Sequence, residues 1–346
     1  MKKLFVSMAL ALFATMGPAI AQTQNITLED IWTKRTFAPR GIGSVRSMAD
    51  GEHYLSMTRT GIAKYSYLTG EKVEDICSFG GPSQRMKAKP LPPFESYAMS
   101  QDEQKILLSS GFEPIYRHSG VSDYYVYDVQ GKTFTKISGG GKQRLTTLSP
   151  DGTKAAFVRD NNLYWMDLAT LEEHAITTDG KMNHIINGTT DWVYEEEFAI
   201  TKGFAWSPDS KKIAYLRFDE SKVREYNMQM WGALYPEDYK YKYPKAGRQN
   251  SKVSVLTYNL QQKSIKPLHV GMLADGYLPR IKATKKPHQT VVYTLNRHQD
   301  SLTLVQVDLD QNVARTLLTE TSRHYVKEEV LDQINAGTLD FAERSE

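Results

Sequence analysis

An all-β fold, a β-propeller of four-stranded blades, is predicted by three features of the 346-residue sequence. These are a recurring turn–strand–turn–strand unit, a spacing near 50 residues between copies, and 20 tyrosines alongside abundant Val, Ile, Thr and Phe. The unit is clearest at Leu148-Ser149-Pro150-Asp151-Gly152. An apolar strand, Ala155-Ala156-Phe157-Val158, follows it, then the turn Asp160-Asn161-Asn162 and a second strand ending at Asp167-Leu168. Proline presets φ and glycine accepts positive φ, so Ser-Pro-Asp-Gly is a tight-turn sequence. Related copies stand at Ala205-Trp206-Ser207-Pro208-Asp209, at Met99-Ser100-Gln101-Asp102 and, more weakly, at Met48-Ala49-Asp50-Gly51. The turn aspartates 50, 102, 151 and 209 are 52, 49 and 58 residues apart. Four short strands fill that period, whereas solenoids of similar repeat length use helices and no sustained 3.6-residue periodicity is present. A fifth unit spans residues 279–318, with strands at 290–295 and 302–309. The expected architecture is therefore an incomplete ring, roughly five blades of a larger one. Residues 338–343 read as the opening of a further unit, so the chain reads as a fragment of a longer protein.

Residues 1–21 have a basic start (Lys2, Lys3), a short apolar run and the small-x-small site Ala19-Ile20-Ala21. That is the pattern of a bacterial secretory signal peptide and is too short for a spanning helix. The expected domains are a signal peptide at 1–21 and a partial propeller at 22–346, in a secreted or periplasmic location with no membrane span. The net charge is +3, and about +1 without Lys2 and Lys3, which offers nothing for nucleic acid. Cys77 is alone, so an internal disulfide is excluded and a buried apolar role is expected. Eight scattered histidines show no ligand spacing; no metal site and no cofactor are expected.

Two stretches interrupt the period. Residues 221–250, rich in Tyr, Lys and Pro, read as an ordered loop rather than a strand because Tyr235-Pro236 and Tyr243-Pro244 restrict the backbone. The other interruption contains Asp191-Trp192-Val193-Tyr194-Glu195-Glu196-Glu197-Phe198, three adjacent carboxylates between large aromatics. One reading is a short amphipathic helix with a solvated acidic face. The other is a set of carboxylates fixed beside apolar surface to meet a cation.

These strings resemble the N-terminal propeller of the dipeptidyl peptidase IV family, serine peptidases of the prolyl oligopeptidase clan. The resemblance is carried by Asp191 to Glu197 and by Ala205-Trp206-Ser207-Pro208. Further matches are Arg217-Phe218-Asp219-Glu220, Tyr243-Pro244-Lys245-Ala246-Gly247 and Leu295-Asn296-Arg297, and Tyr116-Arg117-His118-Ser119 stands where the family places its substrate arginine. It implies a propeller that caps an α/β-hydrolase domain and gates an enzyme releasing N-terminal dipeptides, Xaa-Pro by family expectation. Glu196 and Glu197 would hold the peptide's free amino terminus, and Arg117 the second residue's carbonyl. Glu195 is expected to be a structural or solvent-facing partner, and Trp192 and Tyr194 packing residues. The resemblance also implies a homodimer for the full-length protein.

No catalytic residue is assigned within the chain. It has no Gly-x-Ser-x-Gly elbow, and Ser149 and Ser207 belong to turns. The family's Ser/Asp/His domain is expected beyond this sequence, leaving the chain inactive by itself. The competing expectation is a non-catalytic periplasmic propeller that binds peptides or proteins.

Overall fold

The computed structural model describes residues 25–39, 44–79, 91–271 and 275–327, and divides the chain into two units, Met1–Gly43 and Ser44–Glu346. In the first, Glu29–Thr33 forms a π-helical turn, and the Asp30 carboxylate accepts hydrogen bonds from the Thr27 hydroxyl (2.6 Å) and the Lys34 ammonium (2.9 Å). The expected signal peptide and the opening unit at residues 338–343 lie outside the described residues.

Among the described residues the second unit holds six antiparallel sheets, five blades in sequence order and a separate two-stranded hairpin. Blade 1 comprises β1 (Val45–Ser47), β2 (His53–Thr58), β3 (Gly61–Ser66) and β4 (Lys72–Ser78). Blade 2 comprises β5 (Ser96–Met99), β6 (Lys105–Pro114), β7 (Gly120–Asp128) and β8 (Thr133–Lys136). Blade 3 comprises β9 (Arg144–Leu148), β10 (Lys154–Arg159), β11 (Asn162–Asp167) and β12 (Glu173–Ala175). Blade 4 is built from β13 (Ile185–Asn187), β14 (Phe204–Trp206), β15 (Lys212–Asp219), β18 (Lys252–Asn259) and β19 (Ser264–Leu268). Blade 5 comprises β20 (Tyr277–Ala283), β21 (Gln289–Leu295), β22 (Ser301–Asp308) and β23 (Ala314–Thr321).

The turn repeat has a local cause. Ser149 Oγ reaches Asp151 Oδ1 at 2.6 Å and accepts from Lys154 N at 2.9 Å, closing the first hairpin of blade 3. Ser207 with Asp209 and Lys212, and Ser100 with Asp102 and Lys105, repeat the arrangement in blades 4 and 2. The residue after each aspartate takes positive φ: Gly51 (70°), Glu103 (58°), Gly152 (65°) and Ser210 (59°). The Asp–Ser pairing, rather than glycine alone, therefore sets the turn.

Central strands of blades 2 to 4 are apolar on both faces because each of these blades is stacked between two others. In β10, Ala155 and Phe157 pack towards blade 2 with Leu107 and Val126, whereas Ala156 and Val158 pack towards blade 4 with Phe204 and Tyr215. In β15, Ile213 and Tyr215 face blade 3, and Ala214, Leu216 and Phe218 join the layer with blade 5. The two-residue period of a strand thus serves two apolar layers at once. Cys77 is buried in the layer between blades 1 and 2, and burial pushes its thiol pKa up to about 12.

Both interruptions fall in blade 4. Its first strand is split: β13 pairs with the end of β15 (Asn187 opposite Arg217) and β14 with its beginning (Trp206 opposite Ile213). Between them stands helix α1 (Trp192–Phe198). Gly188 turns the chain out of the sheet at φ 73°, where a Cβ would lie 2.9 Å from Leu163 Cδ1. The second interruption corrects the expected loop at residues 221–250. It is a hairpin of β16 (Glu225–Met230) and β17 (Glu237–Lys242), with Met230 opposite Glu237. Pro236 directly precedes β17 and Pro244 follows it, so the prolines bracket the strand rather than break it.

Candidate functional site

Helix α1 is fixed from its own residues outward. Asp191 caps it, accepting from Tyr194 N at 3.0 Å and from Ser251 Oγ at 2.6 Å. Ala199 ends it in the left-handed region at φ 50°. Tyr194 is buried against Phe198, Phe218 and Tyr277, and its hydroxyl accepts from Leu278 N at 2.9 Å, pinning the helix to blade 5. Trp192 packs on Tyr241 (5.9 Å between ring centroids) and Tyr243 (4.8 Å) of the inserted hairpin.

With one face so anchored, the three glutamates point differently. Glu195 is fully buried, Glu196 is 17% exposed at its side chain and Glu197 is exposed. Glu195 Oε1 accepts from His118 N (2.8 Å) and Ser119 N (2.9 Å). Glu196 Oε2 accepts from Arg117 Nε at 2.9 Å, although Arg117's side chain is 71% exposed. The structure thus brings Arg117 and Glu196 together from blades 2 and 4. Glu197 extends into solvent from the same helix, with no ion pair among the described residues.

The loop carrying Arg117, residues 115–119, joins β6 to β7 and is closed by Ile115 N donating to Ser119 O at 2.8 Å. Tyr116 packs against Tyr239 and Tyr241, with its hydroxyl 3.3 Å from that of Tyr239. Burial, reinforced by Tyr239, drives the Tyr116 phenol pKa well above its ordinary value, so it stays neutral. The hairpin therefore has a place in the site that sequence reasoning missed: its tyrosines support both Trp192 and the arginine loop. Their alternation along β17 and just beyond it (Tyr239, Tyr241, then Tyr243) was the available signal.

Behind α1 lies a cavity of about 120 Å³, lined in part by Tyr116, Arg144, Asp191, Trp192, Glu220 and Lys242. Burial lowers the Arg144 guanidinium pKa, opposed by Glu195, Tyr116 and Tyr239. Burial and the neighbouring Asp191 push Glu220 up to about 7 from its ordinary 4.5. Between these values the folded chain holds a proton that the unfolded chain has released, so stability falls as pH rises through that window, by at most about 3 kcal/mol. Glu220→Gln should flatten this slope; urea midpoints near pH 5 and near pH 7.5 that shift equally in both proteins would contradict it. A roomier cavity of about 470 Å³ lies elsewhere, among the first strands of blades 2 to 5, including Met99, Thr147, Phe204 and Lys282. Among the described residues no acidic side chain lines it, so it offers an amine no opposite charge.

The remaining matched strings are framework. Arg217 pairs with Asp179 at 2.7 Å, Phe218 packs on Tyr194, and Arg297 Nη2 donates to Arg248 O at 3.0 Å. Asn187, Asn183 and Asn250 donate to Asp179, to Lys240 O and to the Tyr277 hydroxyl. Among the described residues no cluster of three His, Cys, Asp or Glu side chains has metal-holding geometry.

Comparison with known proteins settles the family. The model of the dipeptidyl peptidase IV (DPP IV) N-terminal region matches residues 100–342. The chain belongs to the dipeptidyl peptidase IV family. It is 31% identical over 334 residues to a probable dipeptidyl-aminopeptidase B of Pyrenophora teres f. teres, a match covering 86% of this chain and 36% of that protein. Identity to dipeptidyl aminopeptidase B of Saccharomyces cerevisiae is 33% over 236 residues, covering 66% and 28%. The crystal structure of Porphyromonas gingivalis dipeptidyl peptidase 4 superposes with a TM-score of 0.82 at 40% identity, over 90% of this chain and 44% of that one. The chain thus spans about a third of the length of the curated relatives it matches. A putative dipeptidyl aminopeptidase IV from Bacteroides ovatus shares the fold at 21% identity (TM-score 0.61).

Proposed function

We propose that this chain is the substrate-gating propeller of a dipeptidyl peptidase, in which Glu196 and Glu197 hold the free amino terminus of a peptide and a hydrolase domain cuts two residues further on. The observation that carries this reading is the Arg117–Glu196 pair, which concentrates one cation and adjacent carboxylates at a single point between two blades. The names of the relatives, dipeptidyl aminopeptidases and dipeptidyl peptidase 4, agree with it.

The chemistry follows from counting. A protonated amine has three donors and one charge, and two carboxylates accept from it where one leaves a donor short. Like charges so close repel, and the Arg117 guanidinium offsets that repulsion. Two extended residues span about 7 Å, so an amine held here fixes which peptide bond reaches the nucleophile. A longer chain cannot slide inward, because its end is already held.

The test is a pair of substrates given to the enzyme that carries this propeller. A dipeptide ester with a free amine should be cleaved, and its N-acetylated counterpart at least 100-fold more slowly. KM for the free-amine substrate should rise as pH passes the amine's pKa, near 7.7–8.0. Comparable turnover of the acetylated substrate would remove the basis of the proposal.

A further inference from the structure

The first glutamate of the triplet has a geometry that an exposed acidic face does not explain. Glu195 is completely buried, yet the two glutamates that follow it are partly exposed and exposed. Its Oε1 accepts from two successive backbone N–H groups, His118 N at 2.8 Å and Ser119 N at 2.9 Å, across 77 and 76 residues of sequence. One carboxyl oxygen with two main-chain donors grips backbone, and so holds the path of the chain whatever the loop side chains are. Its other oxygen, Oε2, has no hydrogen-bond partner among the described residues, and neither has Arg144 Nε. Glu195 lies close enough for its charge to act on the buried Arg144 guanidinium.

We propose that Glu195 is a positioning residue, whose buried carboxyl clamps the 115–119 loop to helix α1 and thereby sets the Arg117–Glu196 pair on which a peptide amine docks. This rests on the amine-anchoring reading above. Consecutive helix residues divide the work: Glu195 takes the loop's backbone and Glu196 its side chain. Arg117 is largely exposed, so little packing holds its side chain and its direction follows the backbone that carries it. The clamp also joins blade 2 to blade 4, which are not sequential neighbours. The site's spacing therefore depends on this contact as well as on the apolar layers between blades. Tyr116 gives the loop a second hold, through Tyr239, but on the hairpin rather than on the helix.

The test separates acceptor from charge. Glu195→Gln keeps a carbonyl oxygen for both amides; Glu195→Ala removes it. In the 346-residue chain, amide exchange at His118 and Ser119 should quicken at least 10-fold in the Ala variant and stay near the parent rate in the Gln variant, with other blade amides unchanged. Affinity for a free-amine tripeptide, Ala-Pro-Ala, should fall at least 10-fold in Ala and recover most of the loss in Gln. Exchange at the two amides unaltered by Glu195→Ala, or quickened with peptide affinity intact, would overturn the proposal. Should the Ala variant lose its near-ultraviolet circular dichroism, Glu195→Asp replaces it. That carboxylate is withdrawn by one methylene, about 1.5 Å, and parent-like exchange and affinity in it would be equally fatal. Glu196→Ala serves as the control. If it leaves tripeptide affinity unchanged, amine anchoring fails, while the exchange data still judge the clamp.

Discussion

In the enzyme that carries this propeller, Glu196→Ala and Glu197→Ala should each lower kcat/KM for dipeptide release at least 100-fold while leaving the blades folded. That loss corresponds to about 2.7 kcal/mol of transition-state stabilisation. Two features support so large an effect. Glu196 is largely shielded from water, so its interaction with a charged amine is less screened than that of a surface pair. Its removal also leaves Arg117 without the carboxylate that now accepts from Nε at 2.9 Å, turning an organised cation into a free repulsive charge. Glu197 is exposed in the chain and has no ion pair among the described residues, so it is available to an incoming amine. Near-parental turnover by either variant, with unchanged circular dichroism, would refute the assignment.

Tyr194→Ala should be the most damaging single change to stability, at about 4 kcal/mol, a large fraction of what a domain commonly has in reserve. The ring is buried among Phe198, Phe218 and Tyr277, with centroid separations of 5.1, 4.8 and 6.3 Å. Its hydroxyl is the acceptor for Leu278 N, at the fully buried start of blade 5. Tyr194→Phe isolates that last contribution: the ring stays, an amide loses its acceptor, and the cost should be about 1–3 kcal/mol. Urea unfolding of the three proteins measures both. If Tyr194→Phe is as stable as the parent, the hydroxyl does not tie the acidic helix to blade 5.

The two effects are linked by position. Tyr194, Glu195 and Glu196 are consecutive on seven residues of helix, and each holds a different part of the molecule: blade 5, the loop backbone of blade 2 and the arginine side chain. A helix this short is not stable in isolation. Its orientation comes from the Asp191 cap, the buried ring and the hairpin tyrosines that receive Trp192.

What the sequence alone determined is whatever was written in local chemistry. The Ser-Pro-Asp-Gly turns set the blade repeat because a serine hydroxyl, an aspartate and a positive-φ residue close the hairpin within six positions. Runs such as Ala155 to Val158 announced apolar strands. The family strings were legible because they are contiguous. Other features were decided only by tertiary structure, since they join residues far apart in the chain. The hairpin at 225–242 was misread because prolines that bracket a strand look the same in sequence as prolines that break one. The three glutamates are chemically identical in the sequence. One became a buried clamp, one the partner of Arg117 and one an exposed charge because Tyr194 fixed the rotation of the helix, and successive residues on a helix face directions about 100° apart.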